Sequence, residues 1–448
     1  MKSMENYDLI GIGIGPFNLG LAALLSRHRE VTSLFLEAKA EFSWHAGMLL
    51  PDATLQVPFL ADLVTMIDPA HPLSYLSYLH AHDRLYQFYY YENFQIPRRE
   101  YDHYCRWAAE QLPACRFDAA VTRVSYESAE DRFVVESRAS DGTVRRYCCR
   151  DLAIGIDTSP LLPAWAEVES RAPILHSAAF IPHRKALASC RRVAVIGSGQ
   201  SAAECVLALC QALTPERIAA GASVHWITRS PGFHPMESSK LGQECFTPAY
   251  MAHFQTLSRE KRRQIAAGQG GLYKGISYGT IAKIFDTLYE GSIGGRDPGL
   301  RLLPDCEVES VTGSADDDVL GIAFRHRALD RVGYVEADAI IAATGYHHVF
   351  PDWLTSLREA VLETDAWGDW LVDEAFIARR RDGGSGRIYV QNTEIFQHGV
   401  GSPDLGLGAY RNGSIVNTLL GREHYRLPRQ SAFQTFGLPD SLSGETSL

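Results

Sequence analysis

The chain lacks long apolar runs. The longest, such as residues 19–25 and 339–343, stop far short of the ~18 residues that a membrane-spanning helix requires. No transmembrane helix is expected. An excess of positive charge is also missing, with 43 Lys and Arg against 53 Asp and Glu and a formal net charge of −10. That sign repels phosphate backbones and mildly favours cationic small molecules, so nucleic acid is not an expected partner. There is no paired cysteine framework: the nine cysteines are odd in number and irregularly spaced, which fits free thiols in a reducing compartment. Before the first apolar run at Tyr7 there is no room for the charged, apolar and cleavage segments of a secretory signal, so a cytoplasmic location is expected. Nor is the composition biased. Hydrophobic residues at 46% and charged residues at 21% exclude a disordered or collagenous chain, and 448 residues are too many for one core, so two or three packed units are expected.

What is present is one pattern written twice. A short apolar strand from Tyr7 runs into Gly11, Gly13, Gly15 and Pro16, and a helical stretch follows over 18–27. A second buried strand, 31–37, ends in Glu37, 22 residues after Gly15, close to the spacing at which an acid meets a ribose hydroxyl. The same grammar returns about 185 residues on: a strand over 191–196, then Gly197, Ser198, Gly199, Gln200, Ser201 and Ala202, a helix over 202–213, and a strand over 223–228 followed by Arg229. Each unit is succeeded by β-meander material, 120–136 turning at Asp131 and 306–327 turning at 316–318, and then by an apolar strand and a glycine, Gly155 or Gly345.

Glycines at 11, 13 and 15 let backbone N–H groups approach a pyrophosphate at a helix N-terminus, with Pro16 suited to the first turn. Glu37 suits an unphosphorylated ribose, whereas Arg229 offers a fork to a phosphomonoester. FAD at the first site and NADPH at the second is the natural assignment. The first motif departs from the generic one in carrying Asn18 where a third glycine is usual.

Two dinucleotide sites imply hydride passing from NADPH to flavin, and the electrons then need an acceptor. A dithiol is disfavoured. Cys205 and Cys210 fall within one helix, where five residues rise about 7.5 Å, too far for a disulfide. Cys148 and Cys149 sit in strand material with no helix N-terminus to lower a thiol pKa. Dioxygen is the remaining acceptor.

The ordered set Phe42, Ser43, Trp44, His45, Gly47; Gln56, Val57, Pro58, Phe59, Asp62; Arg98, Glu100, Tyr101, Tyr104, Trp107; the second glycine motif; Thr344, Gly345, Tyr346; and His398, Gly399 resembles the N-hydroxylating flavoprotein monooxygenases, the lysine, ornithine and diamine N-monooxygenases of siderophore biosynthesis. The resemblance runs from Tyr7 to about Gly421. It implies that NADPH reduces FAD, that NADP stays bound, and that a C4a-hydroperoxyflavin gives its distal oxygen to a neutral amine. By resemblance Gln56 and Arg98 form the catalytic set near the flavin. Gly11, Gly13, Gly15, Pro16, Asn18, Glu37, Trp44, His45, Gln56, Val121, Thr344, Gly345, Pro403, Asp404 and Leu405 bind FAD. Gly197, Ser198, Gly199, Gln200, Ser201 and Arg229 bind NADPH. Ala61, Gln243, Ser277 and Gly406 mark the substrate segment. No metal site is expected, and the family implies a homotetramer.

The departures from the family point to the amine. Where amino-acid hydroxylases carry a lysine for the substrate carboxylate, this chain has Ala61, and the serine of their C-terminal loop is replaced at Gly406. A buried carboxylate would be left unpaired, while a diamine has none to lose. Putrescine or cadaverine is therefore the expected substrate, with Glu237, Gln243, Glu244, Ser277 and Asp404 as candidates to hold the far ammonium. The alternatives are lysine or ornithine, with Lys240 or Lys274 as the cation, and, in another class, a flavin reductase serving a protein partner.

The expected fold is α/β: two Rossmann-like dinucleotide-binding domains with a small, mostly helical substrate-binding insertion. FAD takes 1–187 plus 345–448, NADPH takes 188–344, and the insertion is 233–295. A solvated basic bend is expected at 379–386 and a weakly ordered tail beyond Leu427.

Overall fold

The structure, a computed structural model, describes residues 4–439 apart from Asp157, Asp317, Thr393 and Arg429. One residue of the second expected turn, and the end of the tail, lie outside the described residues.

The first unit is a seven-stranded sheet. Its centre is the strand Glu5–Ile12, paired in parallel with Ser33–Leu36 on one side and Val144–Ile154 on the other. The C-terminal ends of both central strands are apolar, packed between helices; Leu9, Ile10, Leu152 and Ala153 have no exposed surface. The meander Ala120–Glu127, Arg132–Arg138 continues this sheet antiparallel to Val144–Ile154, and its turn places Asp131 at a φ of +49°. Ile388–Val390 returns from the far end of the chain and adds in parallel to Val144–Ile154.

The second unit is a five-stranded parallel sheet in the order Leu300–Leu303, Ser223–Ile227, Arg192–Ile196, Ala339–Ala342, Ile174–His176. Here the meander is a separate three-stranded sheet, Cys306–Thr312, Leu320–His326, Arg331–Ala337. The expected boundary at 187/188 needs correction. Ile174–His176 pairs with Ala339–Ala342, and Phe180 and Leu187 share a core with Val193 and Trp226, so the second unit begins by Ile174.

The insertion is helical, as its pattern suggests: Pro248–Thr256, Arg259–Gly268, Gly270–Tyr273 and Tyr278–Gly291. Thr247 and Ser258 cap the first two helices through their hydroxyls. Tyr250, Phe254 and Ala266 pack with Val400, which ties the insertion to the C-terminal loop.

The basic bend is exposed at Arg379, Arg381, Asp382, Gly383 and Ser385, as expected, but Arg380 departs from it, its side chain paired with Asp382 at 2.6 Å and lying over the Tyr126 ring. Of the tail, the described residues 431–436 are fastened to the insertion: the Ser431 hydroxyl accepts from Ala249 N at 3.0 Å, and Phe436 packs on Tyr250. Among the described residues no helix is long and apolar enough to cross a membrane.

Candidate active site

Two cavities open side by side and share Trp44, His45, Pro403 and Leu405 in their walls. The first, about 660 Å³, lies at the C-terminal ends of the central strands of the first sheet. Gly13 there has a φ of +85°, and a Cβ on it would stand 2.3 Å from the Gly155 carbonyl oxygen, so glycine is required. Gly15 precedes the helix Pro16–Leu25, which has no side-chain cap, and a Cβ on Gly15 would meet nothing within 4 Å. An uncapped helix start facing open space is the arrangement that accepts a phosphate. Glu37 closes the turn from the side, accepting from Ile14 N at 2.8 Å and Lys39 N at 3.0 Å.

Asn18 has a physical reason to replace glycine. Its buried amide donates to the carbonyls of Gly13 at 2.8 Å and Ile12 at 3.2 Å, and its oxygen accepts from Gln391 Nε2 at 3.1 Å. The side chain knots the glycine turn to the returning C-terminal segment.

The second glycine turn repeats the geometry. Gly197 has a φ of +136°, with the Ala343 carbonyl oxygen 2.2 Å from an added Cβ, and Gly199 faces open space ahead of the uncapped helix Gln200–Cys210. The second cavity, about 340 Å³, lies among the segment 44–57, the start of the helix Gln200–Cys210 and the insertion. Gln56, Arg98, Gln200, Ser201, Gln243 and Asp404 line it. The Gln56 Nε2 is buried in the wall of the second cavity without a protein partner, an orphan donor that fits an acceptor-rich ring.

The expected flavin residues Gly13, Gly15, Pro16, Asn18, Glu37, Trp44, His45, Val121, Pro403 and Leu405 all line the first cavity. Gly11 does not: a Cβ there would stand 2.1 Å from the Phe35 ring, so this glycine serves strand-to-strand packing. Thr344 and Gly345 lie outside both cavities. The Thr344 hydroxyl bonds the Leu161 carbonyl, and the Gly345 carbonyl accepts from Leu161 N at 3.0 Å. Arg229 stands past its strand end with its side chain 76% exposed, 3.9 Å from Glu307, clear of both cavities. The Ser198 hydroxyl meets that of Ser230 at 2.9 Å.

Of the substrate candidates, Gln243 and Asp404 reach the cavity. Ala61 is buried behind Gly406, its Cβ 3.9 Å from where a Gly406 Cβ would stand. Ser277 turns to a network instead, its N–H donating to Gln200 Oε1 at 2.7 Å and its hydroxyl bonded to Thr280. Glu237 accepts from Ser239 N, and Glu244 accepts from Phe433 N and Gln434 N. Burial pushes the Asp404 carboxyl up to about 6, opposed by the Gly406 N–H and the Arg411 charge. His398 is a core residue: burial lowers it to about 3, and its Nε2 bonds the Asp373 carbonyl at 3.0 Å. Glu204, which grips Arg98 with bonds of 2.8 and 3.0 Å, was not foreseen; its only sequence signal is its place one turn after Gln200. Cys205 and Cys210 are free thiols on one helix, both pushed up by burial. Among the described residues no His, Cys, Asp and Glu cluster is placed to hold a metal.

A glycine cradle opening into the first cavity, and a second glycine turn whose helix begins in the wall of the second, mark a flavoprotein built around two dinucleotides. Comparison with known proteins narrows the class. The family described as L-lysine 6-monooxygenase/L-ornithine 5-monooxygenase matches residues 5–348. The chain is 59% identical to the rhizobactin siderophore biosynthesis protein RhbE of Rhizobium meliloti over 99% of this chain and 98% of that one. It is 39% identical to the putrescine N-hydroxylase of Shewanella oneidensis over 96% of this chain and 84% of that one. The FAD-bound crystal structure of DfoA, the cadaverine monooxygenase of desferrioxamine biosynthesis in Erwinia amylovora, aligns with a TM-score of 0.90 at 34% identity, covering 98% of this chain and 99% of that one. The chain belongs to this family of siderophore N-monooxygenases. It is a flavin-dependent N-hydroxylating enzyme that uses FAD, NADPH, dioxygen and a small-molecule amine.

Proposed function

We propose that this enzyme N-hydroxylates one primary amine of an aliphatic diamine, putrescine or cadaverine, in the first step of hydroxamate siderophore synthesis. The observation that carries the reading is the charge of the second cavity. Asp404 lines it, while Arg98, the one lysine or arginine among its lining residues, is bound to Glu204. A carboxylate facing a cation-poor cavity suits the far ammonium of a diamine and opposes a substrate carboxylate. Ala61 agrees, since it offers no charge behind Gly406. The names of the two hydroxylases above support the same substrate class.

We assign the flavin to the unit of residues 4–173 and 345–439 and the nicotinamide to 174–344, with the amine against 233–295. Bound FAD, reduced by NADPH, supplies activated oxygen. The chain's own groups do the rest. Gly13, Gly15 and Pro16 cradle the pyrophosphate, Glu37 accepts from the ribose, and Gln56 Nε2 donates to the flavin ring. Gly197, Ser198, Gly199, Gln200 and Ser201 hold NADPH, and Arg229 meets its 2′-phosphate from the surface. Trp44 and His45 form the partition between the cavities. The reacting amine, with an ordinary pKa of about 10.4, must be held neutral, and burial against the apolar wall of Met48, Leu55, Val57 and Phe246 favours that form.

Lys274 is the feature favouring lysine or ornithine: its Nζ lies 5.3 Å from the ring centroid of Tyr273, which lines the cavity. Hydroxylamine formed per NADPH, measured separately with putrescine, cadaverine, lysine and ornithine, tests the assignment. The diamines should lead in kcat/KM by at least about tenfold, the cost of one unpaired buried charge being well above that. Lysine or ornithine leading both would refute it.

The homo-oligomer also belongs to this reading. The helix Leu85–Tyr91 buries none of its residues, and Tyr86, Tyr89 and Tyr90 are more than 70% exposed, so these aromatics are not core. An aromatic stripe of this size suits a second copy of the chain. Light scattering on the purified enzyme should give a mass above one chain, and Tyr86→Ser with Tyr90→Ser should lower it.

A further inference from the structure

Arg98 begins the helix Arg98–Glu110 in the flavin unit. Its guanidinium forms a fork on Glu204, Nη2 to Oε1 at 2.8 Å and Nη1 to Oε2 at 3.0 Å, and Nη1 also donates to the Met48 carbonyl at 2.8 Å. Glu204 comes from the other unit, on the helix Gln200–Cys210. The two side chains are 12% and 6% exposed. Glu204 Oε1 also accepts from Gln200 Nε2 at 2.9 Å, and Gln200 in turn holds Ser277 N at 2.7 Å and the Thr280 hydroxyl at 3.1 Å. One carboxylate therefore ties the flavin unit, the nicotinamide unit and the insertion.

Arg98 and Gln200 line the second cavity and Glu204 does not. Without a partner, the Arg98 charge would stand bare in the wall. A permanently charged guanidinium in a poorly solvated cavity repels an ammonium and attracts a carboxylate. With Glu204 in place both oxygens of one anion are committed to it, and Asp404 sets the sign of the cavity.

We propose that Glu204, acting through Arg98, is a positioning residue that sets substrate choice, masking the cavity's arginine so that an amine without a carboxylate is preferred to an amino acid. This rests on the diamine reading for the wild-type preference, but the direction in which the preference moves when the mask is removed does not depend on it.

The test compares wild type with Glu204→Gln, which keeps the shape and the Gln200 contact while removing the charge. Dissociation constants of cadaverine and lysine are measured by calorimetry on the oxidised, FAD-loaded protein, together with kcat/KM for each. The cadaverine-to-lysine affinity ratio should fall at least about tenfold, cadaverine weakening and lysine tightening, as expected for one uncovered charge. The double variant Arg98→Gln, Glu204→Gln removes both charges and should return the ratio to within about threefold of wild type. A purely structural role would weaken both ligands together and leave the ratio unchanged, and that result overturns the proposal. If Glu204→Gln does not fold, Glu204→Asp, whose shorter carboxylate covers Arg98 less fully, decides: a cadaverine-to-lysine ratio lowered from that of wild type upholds masking, and an unchanged ratio refutes it. If wild type prefers lysine but the ratio still moves toward lysine in Glu204→Gln, the diamine reading fails and the masking stands.

Discussion

The carboxylate of Glu37 accepts a hydrogen bond from Ile14 N at 2.8 Å, binding the end of the strand Ser33–Leu36 to the glycine turn that follows the strand Glu5–Ile12. The acid thus shapes the glycine turn, and under the proposed function it also accepts from the ribose. Glu37→Ala should raise the FAD dissociation constant at least about tenfold, because hydrogen bonds to a charged group contribute about 1.5–3 kcal/mol. Flavin absorbance per protein after gel filtration measures this, and undiminished occupancy would contradict the role.

Asn18→Gly restores the generic motif and should nonetheless destabilise the protein. It takes one of two acceptors from the Gln391 amide, which keeps Asn412, and removes a donor from two carbonyls in a buried place. The expected loss is about 2–4 kcal/mol in urea unfolding, from unsatisfied polar groups and the space left behind. An unchanged midpoint would show that the knot is dispensable.

The two strand–glycine–helix units are legible in the sequence because their causes are local: an apolar run, glycines where φ is positive, and an acid at the next strand end. The start of the second unit is not. Ile174–His176 is only three residues long, and its sheet is decided by Ala339–Ala342, far along the chain. Glu204 is hidden for a similar reason: a glutamate on a helix reads as a solvated face, and its burial comes from Arg98 in the other unit. Among the acids near the substrate segment, Glu237, Glu244 and Asp404 look alike in sequence. Backbone N–H groups meet all three, Gly406 N donating to Asp404, and of the three Asp404 alone lines the cavity. Arg229 keeps its place at a strand end, but its exposure could not be read from spacing.

Asp404 gives a pH signature. Its folded pKa is raised, to about 6, so the folded protein binds this proton more tightly than the unfolded chain does. Its ionisation therefore costs stability above pH 6, and the cost fades as pH falls toward 4. Asp404→Asn should be more stable than wild type at pH 7.5 by about 1–3 kcal/mol, with the gain vanishing near pH 4. In catalysis the same titration should lower kcat/KM for a diamine as pH falls through about 6, and the variant should lose that limb. Parallel thermal melts and pH–rate profiles of the two proteins check both.

Glu244 receives the N–H groups of Phe433 and Gln434, each at 2.9 Å, and Gln434 Nε2 donates to Leu241 O at 2.7 Å. The C-terminal segment thus clasps the turn Gly242–Phe246, from which Gln243 and Phe246 reach the cavity. Ending the chain at Leu427 should raise KM for the amine about fivefold or more, a loss near 1 kcal/mol of positioning, while leaving FAD occupancy intact. An unaltered KM would show that the clasp does not shape the cavity.

The central claim of the proposed function is that a carboxylate faces the amine in a cavity whose described lining residues include no Lys or Arg other than the paired Arg98. Competition reads it most directly: the NADPH-driven holoenzyme is given equal concentrations of cadaverine and lysine, and both N-hydroxylated products are quantified by mass spectrometry. The account predicts hydroxylated cadaverine in excess by at least about tenfold. Hydroxylated lysine in excess would contradict it.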